Sequence, residues 1–337
     1  MVDVDSLATF AAIAAPTGAE GDRLDWLEQR LQDAPGRRAR DGAGNLVWRF
    51  GEMPLALLVM AHVDTVFDAA TPLAIERDGD ALVGPGVGDN AAAVMAVIWA
   101  LAQVRQPPAG LAVAFTVGEE GLGNLRGARQ VCRELAPAAA LAVEGHGLDN
   151  VITDHVGSLR ARVSVHGPGG HSWWDRGTPS ALHALIEIAG GLTATGANVG
   201  HLAGGGAVNA IAADAQMLTE LRSLDDADLT RFEQTLAALD VPAPLSLHCE
   251  VVGRRGAGRI DVNHPLVQSV FATRRALGLP ERCGSGSTDA NAAAALGIPA
   301  VAIGCCEGSG MHTLHERIDL RSLELGCRQL TEIIRRA

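Results

Sequence analysis

Uninterrupted apolar runs, separated by helical patterns, are the feature that most constrains the fold of this 337-residue chain. A strand without polar alternation is buried on both faces, as in a parallel sheet covered by helices. We therefore predict an α/β fold with a mostly parallel sheet flanked by helices. The runs are LALLVM at 55–60, LAVAFTV at 111–117, AALAV at 139–143 and PAVAI at 299–303, and the helical patterns are 90–104, 124–135, 264–277, 288–296 and 320–334.

The middle of the chain follows a different pattern. SLRARVSVH at 158–166 alternates polar and apolar residues, which predicts a half-exposed strand. Two more strands and two helices are predicted between 179 and 252. This pattern is typical of an α+β domain. We therefore predict a catalytic domain built from 1–154 and 263–337, with an α+β domain inserted at 155–262.

Composition argues against several classes of protein. A net charge of −12 argues against nucleic acid as a partner, because phosphate contacts need basic surfaces. No tyrosine is available as a nucleophile, and the six cysteines form no CxxC pair, which favours a reducing compartment. The first residues lack the positive charge of a signal peptide, and no run of 18 apolar residues occurs. We expect a cytoplasmic protein without membrane contact.

Histidine and acidic residues follow the four apolar runs, and one more carboxylate lies in the glycine-rich GPGVGDN segment. In parallel α/β sheets ligands bind beyond the carboxyl ends of the strands. We therefore expect these side chains to meet at one edge of the sheet. His315 and Glu316 lie near His312, and taken alone these three residues would also fit an ordinary polar surface. The candidate residues are His62, Asp64, Asp89, Glu119, Glu120, Glu144 and His312.

Two histidines with several carboxylates suit zinc or another borderline divalent metal. A mononuclear site needs only three or four ligands, so the larger set predicts a second metal. A carboxylate such as Asp89 can bridge the two ions, and paired metals about 3.5–4 Å apart activate one water between them. We predict two Zn²⁺ per chain, with Co²⁺ or Mn²⁺ as alternatives.

Five ordered motifs resemble those of a known family: HVDT at 62–65, GVGDN at 86–90, TVGEEGLG at 116–123, VEG at 143–145 and HTLHE at 312–316. It is the co-catalytic zinc family of peptidase T, carboxypeptidase G, acetylornithine deacetylase, succinyl-diaminopimelate desuccinylase and aminoacylase. The resemblance runs from about residue 55 to the end. It implies a zinc-exopeptidase-like fold whose inserted domain serves as a lid and dimerisation domain, and hence a homodimer.

The resemblance also implies how the metal ligands are divided. His62 and Glu144 would hold one metal, and Glu120 and His312 would hold the other. Asp89 would bridge them. One departure is Asn90, where relatives often carry Asp or Met.

Two further roles near the metals follow from the same resemblance. Asp64 would orient the imidazole of His62. Glu119 would be the general base, which takes a proton from the attacking water and passes it to the leaving nitrogen.

The resemblance assigns further residues to substrate. His171, in HGPGGHSWW, would donate to the oxyanion of the tetrahedral intermediate, from the partner subunit of a dimer. Asn209 would assist it, and Arg222 would grip a substrate carboxylate with both arms of its guanidinium. Ser287 and Thr288, in GSGSTDANA, would line the substrate cleft.

The substrate class is left open between two reactions with the same chemistry. The GPGGHS and GSTDAN segments favour an exopeptidase acting on small peptides. Glu144, where aminopeptidase relatives carry Asp, weakly favours deacylases of N-acyl amino acids and carboxypeptidases. A non-catalytic metal-binding protein would lack a ligand or the base, and none is missing. A cysteine hydrolase using Cys305 or Cys306 would need a partnered histidine and an activated thiolate.

Overall fold

The computed structural model describes residues 2–52 and 54–336. They form two compact units: the first ends at His155 and resumes at Gly258, and the second is Val156–Ala257. Within the described ranges, no helix is both long enough and apolar enough to span a bilayer.

The elements of the first unit up to residue 155 are helices α1 (Val4–Ala11) and α2 (Gly21–Arg30), strands β1 (Arg37–Arg40), β2 (Leu46–Phe50), β3 (Leu57–His62), β4 (Glu76–Asp78) and β5 (Ala81–Val83), helix α3 (Ala93–Gln103), strand β6 (Leu111–Thr116), helix α4 (Arg126–Leu135), and strands β7 (Ala140–Glu144) and β8 (Val151–His155). Those of the second unit are β9 (Gly157–His166), β10 (Gly170–His171), α5 (Ala181–Ala194), β11 (Asn198–Gly204), β12 (Ala210–Ile211), β13 (Asp214–Ser223), α6 (Asp226–Ala237) and β14 (Ser246–Arg255). The first unit then resumes with β15 (Gly258–Arg259), α7 (Pro265–Leu277), β16 (Cys283–Gly286), α8 (Ala290–Ala294), β17 (Ala300–Gly304), β18 (Gly308–Ser309), β19 (Arg317–Asp319) and α9 (Leu320–Arg335).

A large sheet forms the centre of the first unit, with the strand order β1–β2–β6–β3–β7–β17–β8–β15 and β16 paired to β8. The four central strands β6, β3, β7 and β17 are parallel. Antiparallel pairs flank them at the β1–β2–β6 side and at the β17–β8–β15 side. The predicted α/β class, with a mostly parallel central sheet between helices, is confirmed.

The apolar runs are continuous because helices cover both faces of the central sheet. On β3, Val59 and Ala61 belong to a core cluster shared with α1, α2, α3, α7 and α9. Leu58 and Met60 point to the other face, where they belong to a cluster shared with α4 and α8. Since both faces are dry, neither set of alternating positions needs polar residues.

Two predicted helices are shorter in the structure. The helix predicted at 90–104 begins at Ala93, because Asp89 (φ −98°, ψ 91°) and Asn90 (φ −129°, ψ 27°) lie outside the helical region of backbone space. The peptide bond between them is cis. The helix predicted at 288–296 is only Ala290–Ala294. Elements that were not predicted from the sequence include helices α1 and α2 and the antiparallel strands β1 and β2.

The second unit is an antiparallel sheet of order β11–β13–β9–β14 with α5 and α6 on one face. Along β9, Ala161, Val163 and Val165 are buried in a cluster with residues of both helices. Arg160 and Arg162 alternate with them and are half-buried. The half-exposed strand predicted at 158–166 is therefore confirmed.

Candidate metal centre

The candidate ligands lie at the carboxyl edge of the parallel strands. His62 is the last residue of β3, and Glu144 is the last residue of β7. Glu119 and Glu120 follow β6 by three and four residues, and His312 lies in the segment between β18 and β19. Because β3, β6 and β7 are parallel neighbours, their carboxyl ends deliver these side chains to one place.

One group of three candidate ligands is built around His62. Its Nε2 lies 3.1 Å from Oδ1 of Asp89 and 3.6 Å from Oε2 of Glu144. The ligand atoms of the three residues lie within 4.8 Å of one another, the spacing expected of a metal site. The imidazole is almost fully buried.

A second group shares Asp89. Nε2 of His312 lies 3.0 Å from Oδ2 of Asp89 and 3.3 Å from Oε1 of Glu120. These three ligand atoms also lie within 4.8 Å of one another. Asp89 therefore directs one carboxylate oxygen to each histidine, which is the arrangement of a bridging ligand.

Glu119 is buried beside this pair of groups. Its carboxylate, together with His62 and Glu120, forms a third group within 4.8 Å. Its backbone N–H donates to Oδ1 of Asp64 at 3.0 Å, and the N–H of Glu120 donates to Oδ2 at 2.9 Å. Asp64 thus fixes the turn that carries both glutamates.

Asp64 also lies behind the first histidine. It is fully buried, its Oδ1 lies 3.5 Å from Nδ1 of His62, and Oδ2 accepts a hydrogen bond from the Thr17 hydroxyl at 2.9 Å. Burial raises the pKa of the Asp64 carboxyl, but the bonds and charge of His62 and the two amides outweigh it and hold the pKa below its usual value. An ionised Asp64 can keep Nε2 of His62 turned toward Asp89.

The charges of the group are strongly coupled in the metal-free protein. Burial lowers the pKa of His62, but the hydrogen bonds that its ring donates to Asp64, Asp89 and Glu144 raise it well above its usual value. Hydrogen bonds donated to Asp89 and Glu120 raise the pKa of His312 to about 10.

The pKa values of the Asp89 and Glu144 carboxyls are shifted in opposite directions. Burial raises the pKa of Asp89, but the two histidines outweigh it and bring the pKa far below its ordinary value. Burial raises the pKa of Glu144 to about 7, against the opposing effect of His62. Two imidazoles with three carboxylates form the mixed nitrogen and oxygen donor set that zinc and related divalent metals favour, so these residues fit a metal pair.

Three of the candidate substrate residues lie in the second unit. The His171 turn is held by the backbone N–H of Ser172, which donates to the carbonyl of Asn209 at 3.0 Å. His171 and Asn209 are thus neighbours. Arg222 lies at the other end of β13 from this turn, and its Nε donates to Oε2 of Glu220 at 3.0 Å. The structure therefore brings Asn209 to His171 but leaves Arg222 apart from them.

Ser287 and Thr288 lie between β16 and α8 in the first unit. The Thr288 hydroxyl accepts a hydrogen bond from the N–H of Ala290 at 3.2 Å, so it caps the start of α8. The neighbouring Asp289 is buried and accepts a hydrogen bond from the Thr116 hydroxyl at the end of β6. Burial raises the pKa of Asp289 to about 6.

Several residues near the centre were missed from sequence. Glu316 was assigned no role from the sequence, yet it is fully buried, accepts a hydrogen bond from the N–H of Asp89 and contacts His146. Arg23 on α2 is fully buried, and its guanidinium donates to three backbone carbonyls, one of them Val63 next to His62. The place of Glu316 in the HTLHE motif, four residues after His312, was the one signal available.

The two adjacent cysteines lack the surroundings of a nucleophile. Cys305 and Cys306 are both buried, and both thiols point at the carbonyl of Gly145. Burial raises the pKa of Cys305 well above its usual value, which disfavours the reactive thiolate. This geometry argues against a cysteine hydrolase.

The sequence matches one family model and several proteins of known sequence. The family model described as Peptidase family M20/M25/M40 matches residues 58–336. A peptidase M20 domain-containing protein of Schizosaccharomyces pombe is 28% identical over 191 residues, which cover 52% of this chain and 46% of that protein. A provisionally named succinyl-diaminopimelate desuccinylase of Mycobacterium tuberculosis is 26% identical over 284 residues, or 79% of this chain and 78% of the relative.

Solved structures show the same fold. A tripeptidase from Staphylococcus aureus superposes with a TM-score of 0.78 at 22% identity, covering 98% of this chain and 96% of that one. The match spans less than half the length of several curated relatives, between 43% and 46%. Since the family model covers most of the chain, this protein belongs to peptidase family M20/M25/M40.

Proposed function

We propose that this chain is a two-zinc exopeptidase that cleaves the amide bond of small peptides. The observation that carries the proposal is the sharing of Asp89 between two ligand groups, one with His62 and Glu144 and the other with Glu120 and His312. A single metal would need only one of these groups. The shared carboxylate therefore favours a pair of ions.

Zinc bound in these groups would supply Lewis-acid polarisation of the scissile carbonyl and would lower the pKa of the attacking water. Glu119 is the proposed general base. Its position beside both groups, on a turn fixed by Asp64, supports this role. It would take the proton from the water and then deliver it to the leaving nitrogen.

Residues outside the metal groups are proposed to hold the substrate. His171 would stabilise the developing oxyanion by donating a hydrogen bond, with Asn209 bracing its turn. Its Nδ1 accepts hydrogen bonds from the N–H groups of Trp173 and Trp174, so the proton of the neutral ring lies on Nε2 and is available for donation. We propose that it acts in the site of a second subunit of a homodimer.

Arg222 is proposed to bind the terminal carboxylate of the substrate. Half of its side chain is exposed, and Glu220 contacts Nε, so the two terminal nitrogens of the guanidinium can face a ligand. Ser287 and Thr288 are proposed to line the substrate cleft. The Thr288 hydroxyl also accepts the hydrogen bond from the N–H of Ala290, which stabilises the start of α8.

A second candidate function is the deacylation of N-acyl amino acids. The relative named as a succinyl-diaminopimelate desuccinylase, which matches over most of both chains, favours it. The two reactions differ in the group attached to the scissile amide and use the same metals and base.

The test is a hydrolysis panel with the zinc-loaded protein, containing dipeptides, tripeptides, N-acetyl and N-succinyl amino acids, read by mass spectrometry. Each substrate is run with wild-type protein, with chelated protein and with the matched variant Glu119→Gln. We expect the zinc-loaded wild-type protein to release a terminal residue from peptides, and the chelated protein and Glu119→Gln to release none. The identity of the residue released gives the end that is trimmed.

Release of acetate or succinate without peptide cleavage would replace the exopeptidase by a deacylase. Silence with two zinc ions bound would place the substrate outside these classes. Failure of the wild-type protein to bind any zinc would overturn the metal centre itself.

A further inference from the structure

Glu316 contacts segments that carry three of the proposed ligands. Its Oε1 accepts a hydrogen bond from the backbone N–H of Asp89 at 2.8 Å. The same oxygen lies 2.6 Å from Nε2 of His146, two residues after Glu144. Glu316 itself follows His312 by four residues. The segments of Asp89, Glu144 and His312 therefore meet at one carboxylate.

Two glycines, Gly88 and Gly308, allow the segments around this contact to approach each other closely. A Cβ atom at Gly88 would collide with His146 and Glu316, and one at Gly308 would collide with the ring of His146. The N–H of Gly84 also donates to the backbone carbonyl of Glu316 at 2.8 Å. Only residues without a side chain let the segments approach this closely, so packing and hydrogen bonds fix the same geometry.

A carboxylate is a costly group to place here. Glu316 is fully buried, and its Oε2 has no hydrogen-bond partner among residues 2–52 and 54–336. A buried acceptor left without a partner destabilises the folded state, so an apolar residue of similar size would suit this place better for stability alone. Glu316 is also absent from the three candidate ligand groups. Its contacts with Asp89 and His146 are what an apolar residue could not supply.

We propose that Glu316 is a positioning residue, which holds the backbone of Asp89 against the segments of Glu144 and His312 at the separation that both metals require. The inference rests on the proposed metal centre. Groups that support metal ligands from behind typically contribute 10–100-fold to metal affinity. Glu316 would act on both metals, because Asp89 belongs to both ligand groups.

The experiment measures zinc affinity by competition with a chromophoric chelator, together with the melting temperature of the metal-free protein. It compares wild type with Glu316→Ala, Glu316→Gln and the control Leu330→Ala. We expect Glu316→Ala to weaken zinc binding by about 10–100-fold. Glu316→Gln should recover much of the loss, because its amide oxygen can still accept the bond from the Asp89 N–H.

Leu330 is the matched control for loss of stability. It is fully buried on α9 in the same unit and belongs to the apolar core. Leu330→Ala leaves a cavity and should lower the melting temperature while zinc affinity stays within a few-fold of wild type. A purely structural effect of Glu316 would make the two alanine variants behave alike.

The outcomes separate the two claims. Zinc affinity unchanged in Glu316→Ala, or lowered equally in Leu330→Ala, overturns the positioning role and leaves the metal centre standing. Absence of zinc binding by the wild-type protein overturns the metal centre, and the positioning role with it.

Discussion

Oδ1 of Asp89 lies 3.1 Å from Nε2 of His62. The other oxygen, Oδ2, lies 3.0 Å from Nε2 of His312. One carboxylate thus contacts two histidines that are 250 positions apart in the sequence (62 and 312). Its removal should therefore affect both proposed metals, whereas removal of an outer ligand should affect one.

Asp89→Ala should accordingly abolish binding of both zinc ions when zinc is supplied at a concentration similar to that of the protein sites. Glu144→Ala should keep one ion, because the group of Asp89, Glu120 and His312 is untouched. Zinc per chain after gel filtration, measured by mass spectrometry of the metal, checks this. Equal stoichiometry in the two variants would contradict a shared ligand.

Glu119→Gln should keep both metals and lose turnover. The amide has nearly the shape of the carboxylate but cannot accept the proton of the attacking water, and general-base catalysis contributes about 10²–10⁴-fold. The measurements are kcat on the best substrate of the panel and zinc per chain. Glu120→Gln is the matched control, which should lose metal instead. Retention of most activity by Glu119→Gln would remove Glu119 from the role of base.

Zinc binding at pH 7 should release protons. In the metal-free protein the pKa of His312 is raised to about 10 and that of His62 is well above its usual value, so both rings are protonated at pH 7. Metal ligation needs neutral imidazole and ionised carboxylate. Each ring should therefore release one proton and Glu144, whose pKa is raised to about 7, about half of one, so about two to three protons should leave on binding. Calorimetry in buffers of different ionisation enthalpy counts them, and His312→Ala should lower the number by about one. Heats independent of the buffer would contradict this.

The same shift gives the metal-free protein a pH-dependent stability. Because the pKa of His312 is higher in the folded state than in the unfolded chain, its contribution is complete below about pH 6.5 and is lost as the pH rises toward 10. The melting temperature of chelated protein should therefore fall between pH 7 and pH 10. Zinc-loaded protein should lack this fall, since metal replaces the proton.

Arg23→Met should destabilise the first unit. The guanidinium donates to the buried carbonyls of Ala11, Ile13 and Val63, and Asp64, Asp89 and Glu316 interact favourably with its charge. Removing one partner of a buried charged network costs about 3–5 kcal/mol in the free energy of unfolding. Urea denaturation measures it. Arg105→Met, at an exposed position, is the control and should change stability by less than about 0.5 kcal/mol.

If His171 acts in the site of a partner subunit, the variants His171→Ala and Glu119→Gln should restore each other's activity when their subunits exchange. His171→Ala retains an intact Glu119, and Glu119→Gln retains an intact His171. Mixing the two inactive variants and allowing subunits to exchange should restore part of the wild-type kcat. Exchange verified by mass spectrometry without recovered activity would mean that each site is complete within one chain.

The sequence by itself determined the four central parallel strands and the residues that reach their carboxyl ends. Continuous apolar runs such as LALLVM, separated by helical patterns, are typical of strands buried on both faces, and parallel strands end together, so His62 and Glu144 were predictable neighbours. The five ordered motifs indicated the family by their resemblance to it, and the family model that matches residues 58–336 confirms it.

Only the tertiary structure decided how the ligands are shared and what holds them. Asp89 contacts Glu316 across 227 positions, and Asp64 receives the N–H groups of Glu119 and Glu120 across 55 and 56 positions. Local patterns carry no information about such pairs, because a carboxylate reads alike in sequence whether it is solvated or buried. Burial and hydrogen bonding are properties of the packed chain, and only they place Glu316 beside the candidate ligand Asp89.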